Sequence, residues 1–182
     1  MCSSDLKKVY ASFYNDNAFL ERLRHGVDES QVGMGILAHH STPDEFELAN
    51  GVATVTVDKR YGGQRSLQFT LVTQAGAESV ANPEPTSRPE TVSGAMTSGY
   101  KPYLAVQQHS ALVPLGGTVL AWQTEYEQLV GLLDRACLAY EALHPDTKEF
   151  WLDLEYKKAD GAGLLVKQIR PIPQVDATRK TP

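Results

Sequence analysis

The chain has 182 residues, which is about the length of one domain or slightly more. Apolar residues make up 42% and charged residues 21%, so the composition excludes a disordered or fibrous chain. The 17 basic and 22 acidic residues give a net charge of -5, which argues against binding to nucleic acid or to an anionic membrane. There is no apolar run long enough to span a bilayer and no secretory signal, so we expect a cytoplasmic protein.

The first half of the chain shows one helical pattern and three strand patterns. Apolar side chains recur at three- and four-residue steps through residues 5–25, which predicts one long helix. The short apolar run at residues 31–40 predicts a strand. Residues 50–58 and 65–73 alternate polar with apolar side chains and are rich in β-branched types, which predicts two further strands.

The second half begins with a change in composition. Residues 74–98 are rich in proline and small polar residues, and we expect them to form a long excursion across the surface. Residues 103–108 are a candidate strand. Residues 124–143 carry a strong amphipathic pattern, which predicts a helix with Thr124 as its N-cap.

Two strand patterns close the domain, at residues 150–156 and 163–169, and a basic tail that we expect to be flexible follows at residues 174–182. Side chains alternate between the two faces of a strand. One face of the first closing strand therefore carries Trp151, Asp153 and Glu155. The other face carries Leu152, Leu154 and Tyr156, and we expect it to be the core face. The elements together predict an α+β domain with a mostly antiparallel sheet packed against two long helices.

The register of this closing hairpin decides which side chains meet. A turn of two or four residues that includes Asp160 and Gly161 would place Gln168 and Arg170 on the face of Glu155, whereas an odd-length loop without a bulge would separate them. An acid, an amide and a guanidinium on one face suit a magnesium polyphosphate. The alternative is a solvated sheet face with a cross-strand salt bridge.

The same hairpin carries a distinctive series of residues. It reads Asp-Leu-Glu-Tyr at residues 153–156, Asp-Gly at 160–161 and Gln-Ile-Arg-Pro at 168–171. This series resembles the end of the nucleotide-binding domain in the pyruvate phosphate dikinase and phosphoenolpyruvate synthase family, which is an ATP-grasp fold. Shorter likenesses extend the resemblance over most of residues 6–173, at residues 9–18, 31–39, 49–53 and 70–80.

The resemblance implies a role for four residues. Glu155 and Gln168 match the positions that hold the magnesium of MgATP, Arg170 matches a catalytic contact to the phosphates, and Glu78 matches an acidic residue near the nucleotide. In the family, ATP phosphorylates a histidine on a separate domain. Residues 1–173 match only the C-terminal ATP-grasp subdomain, so the expected partners are ATP, the N-terminal subdomain and the phosphohistidine domain, in cis or in trans.

Three residues depart from the family pattern. Asn17 stands where the family has arginine, His39 where it has glutamine, and Lys167 where it has an apolar residue. These departures leave open a second hypothesis, in which the chain is a degenerate ATP-grasp module that keeps the fold and serves as an interaction surface.

Overall fold

The computed structural model describes residues 3–35, 42–59, 64–81 and 83–173. The predicted tail at residues 174–182, and His39 with the second half of the predicted strand at 31–40, lie outside these ranges. The chain divides into two compact units, Met1–Ser41 and Thr42–Pro182.

The first unit contains two short helices where the sequence predicts one long helix. These are α1 (Ser3–Ser12) and α2 (Asp16–Arg24), followed by a 3-10 turn at Glu29–Gln31. The prediction of a continuous helix is wrong because the chain tightens at residues 13–15 into hydrogen bonds that span three residues instead of four. Residues 32–35 have no regular structure, so the predicted strand is wrong for this part of its length.

The second unit is built on one six-stranded antiparallel sheet, which confirms the α+β class and the antiparallel pairing. The spatial order is β4-β3-β2-β1-β5-β6. A 3-10 turn (Asp44–Phe46) precedes the first strand. The strands are β1 (Glu47–Asp58), β2 (Ser66–Ala75), β3 (Glu90–Thr97), β4 (Tyr103–Gln108), β5 (Glu149–Ala159) and β6 (Gly163–Pro171).

The second unit has one long helix, α3 (Thr124–Leu143), and this is the only long helix among the described residues, so the expectation of two long helices is wrong. The bounds of α3 agree with the sequence prediction. Its N-cap does not, because Gln123 precedes the helix in a left-handed conformation with φ of 64° and Thr124 is already helical. The Glu125 carboxylate instead accepts a hydrogen bond from the Ala121 backbone N–H at 2.8 Å.

The expected surface excursion at residues 74–98 contains a strand, β3, and the prediction is wrong for that part. Gly94 helps to explain why this segment, which is rich in small polar residues, pairs with both neighbouring strands. A Cβ there would lie 2.6 Å from Cζ of Phe69 and would overlap the carbonyl oxygen of Tyr103, so a residue without a side chain lets the neighbouring strands close in.

The two faces of the sheet differ sharply. Alternate residues of β1, β2 and β5 are buried with the apolar stripe of α3, including Val55, Leu71, Leu154, Leu133 and Cys137. The opposite face of the sheet carries polar side chains, among them Thr54, Thr70 and Gln68, which are exposed. The fold therefore leaves one polar sheet face open, and β5 and β6 form one end of it. Within the described ranges, no helix is both long and apolar enough to cross a membrane.

Candidate functional site

The closing hairpin turns through an odd number of residues. Ala159 pairs with Gly163, which leaves a loop of three residues, 160–162, between the strands. The Ala162 N–H donates to the Ala159 carbonyl at 3.2 Å, and Gly161 and Gly163 both have φ of 70°. Glycine suits both positions because other residues are strained there. The prediction of a two- or four-residue turn is therefore wrong.

A β-bulge in β6 cancels the effect of the odd loop. Tyr156 pairs with Val166, but the next residue of β5, Glu155, pairs with Gln168, and Lys167 is the extra residue between them. The shift of one position moves every later side chain of β6 to the other face. Gln168 therefore lies on the face of Glu155, as the sequence predicts. The register arises from an odd loop and a bulge, however, and not from an even-length turn.

The charged residues of this face contact one another. Nη2 of Arg170 donates to Oδ2 of Asp153 at 3.0 Å and to Oε1 of Glu155 at 3.1 Å. The side chains remain open to solvent, at 54%, 25% and 35% exposure for the arginine, the aspartate and the glutamate. Exposed ion pairs contribute only about 0.2–1 kcal/mol each. Arg170 can therefore exchange these carboxylates for another anion at little cost.

A depression of about 340 Å³ adjoins this cluster. Glu155 and Lys167 form one side of it, and a loop at residues 77–81 contributes to the other. The side-chain amide of Asn50 holds that loop, since Nδ2 donates to the carbonyl oxygens of Gly76 and Glu78, both at 2.8 Å. The depression therefore lies where these hydrogen bonds fix the β2–β3 connection against β1.

The packed residues beneath the depression are Gly51 and Tyr156. A Cβ at Gly51 would overlap the ring and hydroxyl of Tyr156 and lie 2.6 Å from the Val72 carbonyl oxygen. The Tyr156 hydroxyl and Oγ1 of Thr73 are hydrogen-bonded at 2.6 Å. Burial raises the pKa of Tyr156, so the phenol stays neutral and its role is to pack. Because side chains alternate along a strand, the neighbouring Glu155 lies on the opposite face.

Glu78 lies in the loop beside the depression, but its carboxylate points elsewhere. Oε1 accepts hydrogen bonds from the Glu84 backbone N–H at 3.1 Å and from Oγ of Ser87 at 2.9 Å. The lining of the depression includes its neighbours, Ala77 and Ser79. The structure therefore brings Glu155, Gln168 and Arg170 together and leaves the Glu78 side chain to organise its own loop.

The oxygen donors of the cluster fit a hard cation. No group of three or more His, Cys, Asp or Glu side chains suited to a metal occurs in the described part of the chain. Magnesium that is held jointly with nucleotide phosphates needs only one or two protein carboxylates, because phosphate oxygens and water complete its octahedron. Glu155 supplies one such carboxylate, and Gln168, its partner across the β5–β6 pair, would add an amide oxygen.

Sequence reasoning missed two features of the site. The sequence offers a cross-strand salt bridge on this face only as an alternative and does not name Asp153 as the partner of Arg170, although the two-residue spacing of Asp153 and Glu155 is a usable signal. Asn50 was not singled out, because nothing in a single sequence tells which strand amide will tie down a loop 26 residues away. Comparisons of the chain with models of protein families, with curated proteins and with solved structures each find no match.

Proposed function

We propose that this chain is the C-terminal subdomain of a cytoplasmic ATP-grasp phosphotransferase, similar to phosphoenolpyruvate synthase and pyruvate phosphate dikinase. The observation that carries the proposal is the placement of Glu155, Gln168 and Arg170 side by side on an open polar sheet face. These three residues are also the ones that the closing sequence series singles out. Residue type, spacing and position in space thus favour the same site.

Each side chain has a part in phosphate chemistry. Glu155 and Gln168 would supply oxygen ligands to the magnesium of MgATP, which would offset phosphate charge when bound. Arg170 would leave its two carboxylates and donate to phosphate oxygens through its planar fork. Such groups stabilise the charge that develops as a phosphoryl group is transferred, and little covalent chemistry is required of the protein.

The proposal includes the partners. The acceptor would be a histidine on a separate domain, and the other half of the ATP cleft would come from an N-terminal subdomain, in the same polypeptide or in trans. Because this chain would form one wall of the cleft, we expect it to bind MgATP weakly when it is alone and not to turn it over.

A second candidate function is a degenerate module that no longer binds nucleotide and serves as an interaction surface. The observation in its favour is that Arg170 already pairs with both Asp153 and Glu155. A cross-strand ion pair of this kind is common on solvated sheet faces and needs no ligand to explain it. The two candidates differ in one measurable property, which is whether nucleotide reaches this cluster.

The test is an NMR titration of the isotope-labelled chain with MgATP up to millimolar concentration. The proposal predicts that amide signals shift first at Glu155, Gln168 and Arg170, and that Glu155→Gln abolishes the shifts. Glu45→Gln is the matched control, because it makes the same chemical change at an exposed residue of the turn before β1. Unchanged binding by Glu155→Gln, or shifts confined to other regions, would contradict the proposal, and no shifts at all would favour the interaction module.

A further inference from the structure

The bulge that restores the register of β6 also places a cation in the depression. Lys167 is the residue that the bulge inserts, and it is exposed and lines the same depression as Glu155 and Asn50. In a regular ladder, neighbouring residues point to opposite faces, so Lys167 and Gln168 would be separated. The bulge re-aims the side chain, as bulges beside functional sites commonly do.

The other cations of this hairpin are already paired. Lys157 bonds Glu47 at 2.5 Å and Lys158 bonds Glu125 at 2.7 Å, while Arg170 holds its two carboxylates. Within the described residues, Lys167 takes part in no salt bridge, although Glu47 and Glu155 both line the same depression. Its ammonium group is therefore the cation of the hairpin that remains available to an incoming anion.

We propose that Lys167 is an additional phosphate contact of this site. The inference rests on the proposed function, since the anion it would meet is the polyphosphate of MgATP held at Glu155 and Gln168. A lysine acts on phosphate as a compact point charge with three donors, and its long stem lets it follow the phosphate chain. The depression, at about 340 Å³, is large enough to admit part of such a ligand beside the carboxylate.

The experiment labels lysines with an acyl phosphate derivative of ATP, which transfers its acyl group to an amine that lies beside the phosphates. Mass spectrometry then identifies the modified residues. We expect modification of Lys167 that excess MgATP prevents, and none at the paired and nearly buried Lys157. Equal modification with and without MgATP would overturn the proposal, because it would show only an exposed lysine on an edge strand.

Two lysine variants test whether the effect on phosphate binding is specific to Lys167. Lys167→Met should weaken binding of magnesium tripolyphosphate about fivefold, the effect of one partly exposed charge contact. Lys101→Met removes the same charge beside the other edge of the sheet, from a side chain that is 85% exposed, and should leave binding unchanged. If Lys167→Met binds like wild type while Glu155→Gln does not bind, this inference fails and the proposed function stands. If wild type does not bind at Glu155, both fail.

Discussion

Replacing Gly51 with alanine tests how tightly the residues beneath the site are packed. The added methyl group would overlap the Tyr156 ring, which is 1% exposed and held by the hydrogen bond to Thr73, so the ring has no free space to enter. Overpacking of a core costs about 1–3 kcal/mol, and loss of the tyrosine hydrogen bond adds about 1 kcal/mol. We therefore expect the free energy of unfolding to fall by roughly 2–4 kcal/mol.

The assay is urea denaturation, in which the midpoint should fall while the slope stays the same. Gly131→Ala in α3 is the matched control, because the nearest atom to its new Cβ is Nη1 of Arg135 at 3.8 Å. The same substitution should stabilise the helix there by about 1 kcal/mol. In a Tyr156→Leu background the cost at Gly51 should shrink, since the ring is gone. A Gly51→Ala variant within about 0.5 kcal/mol of wild type would refute the reasoning.

Two further substitutions separate stability from binding. Arg170→Met should lower the free energy of unfolding by about 1 kcal/mol or less, because its ion pairs are exposed, yet weaken MgATP binding about tenfold, as calorimetry and NMR titration would show. MgATP binding by Arg170→Met that matches wild type would contradict a role in binding. Burial alone would raise the pKa of Glu125, but hydrogen bonds from Lys158 and the Ala121 N–H bring it below its usual range. The charged carboxylate thus stabilises the fold above the unfolded pKa, and this contribution is lost as pH falls through the lower folded pKa. Glu125→Gln should therefore flatten the acid side of a plot of unfolding free energy against pH, and an unchanged acid side would contradict the assignment.

Alternation of side chains was the most informative signal in the sequence. It assigned the polar and buried faces of β5 correctly, because one face of a half-buried strand must be apolar. The register of the hairpin was harder to predict. In this hairpin the odd loop and the bulge at Lys167 each reverse the face, and together they put Gln168 opposite Glu155. Neither feature has a local signal strong enough to be read from one sequence.

The misread elements have physical explanations. Apolar spacing continues through residues 13–15, so periodicity alone joins α1 to α2. The backbone hydrogen bonds of these residues span three residues instead of four, and the Ser12 hydroxyl bonds the Val9 carbonyl at 2.6 Å where the first helix ends. The sequence pattern does not predict strand β3, because prolines precede it and because its first residue, Glu90, is acidic although it is fully buried. Oε1 of Glu90 accepts hydrogen bonds from the Tyr126 hydroxyl and from the Val119 N–H, whereas the buried Oε2 has no hydrogen-bond partner among the described residues. The core thus satisfies only one oxygen of a carboxyl group that composition would place at the surface.

The most direct measurement of the central claim replaces magnesium with manganese, whose unpaired electrons broaden nearby NMR signals. With ATP present, broadening should be strongest at Glu155 and Gln168 and should fall away along β5 and β6 in both directions. Without ATP it should be much weaker, because the protein offers only part of the metal's coordination. Broadening that is independent of ATP, or centred on another part of the surface, would contradict a nucleotide-phosphate site on this hairpin.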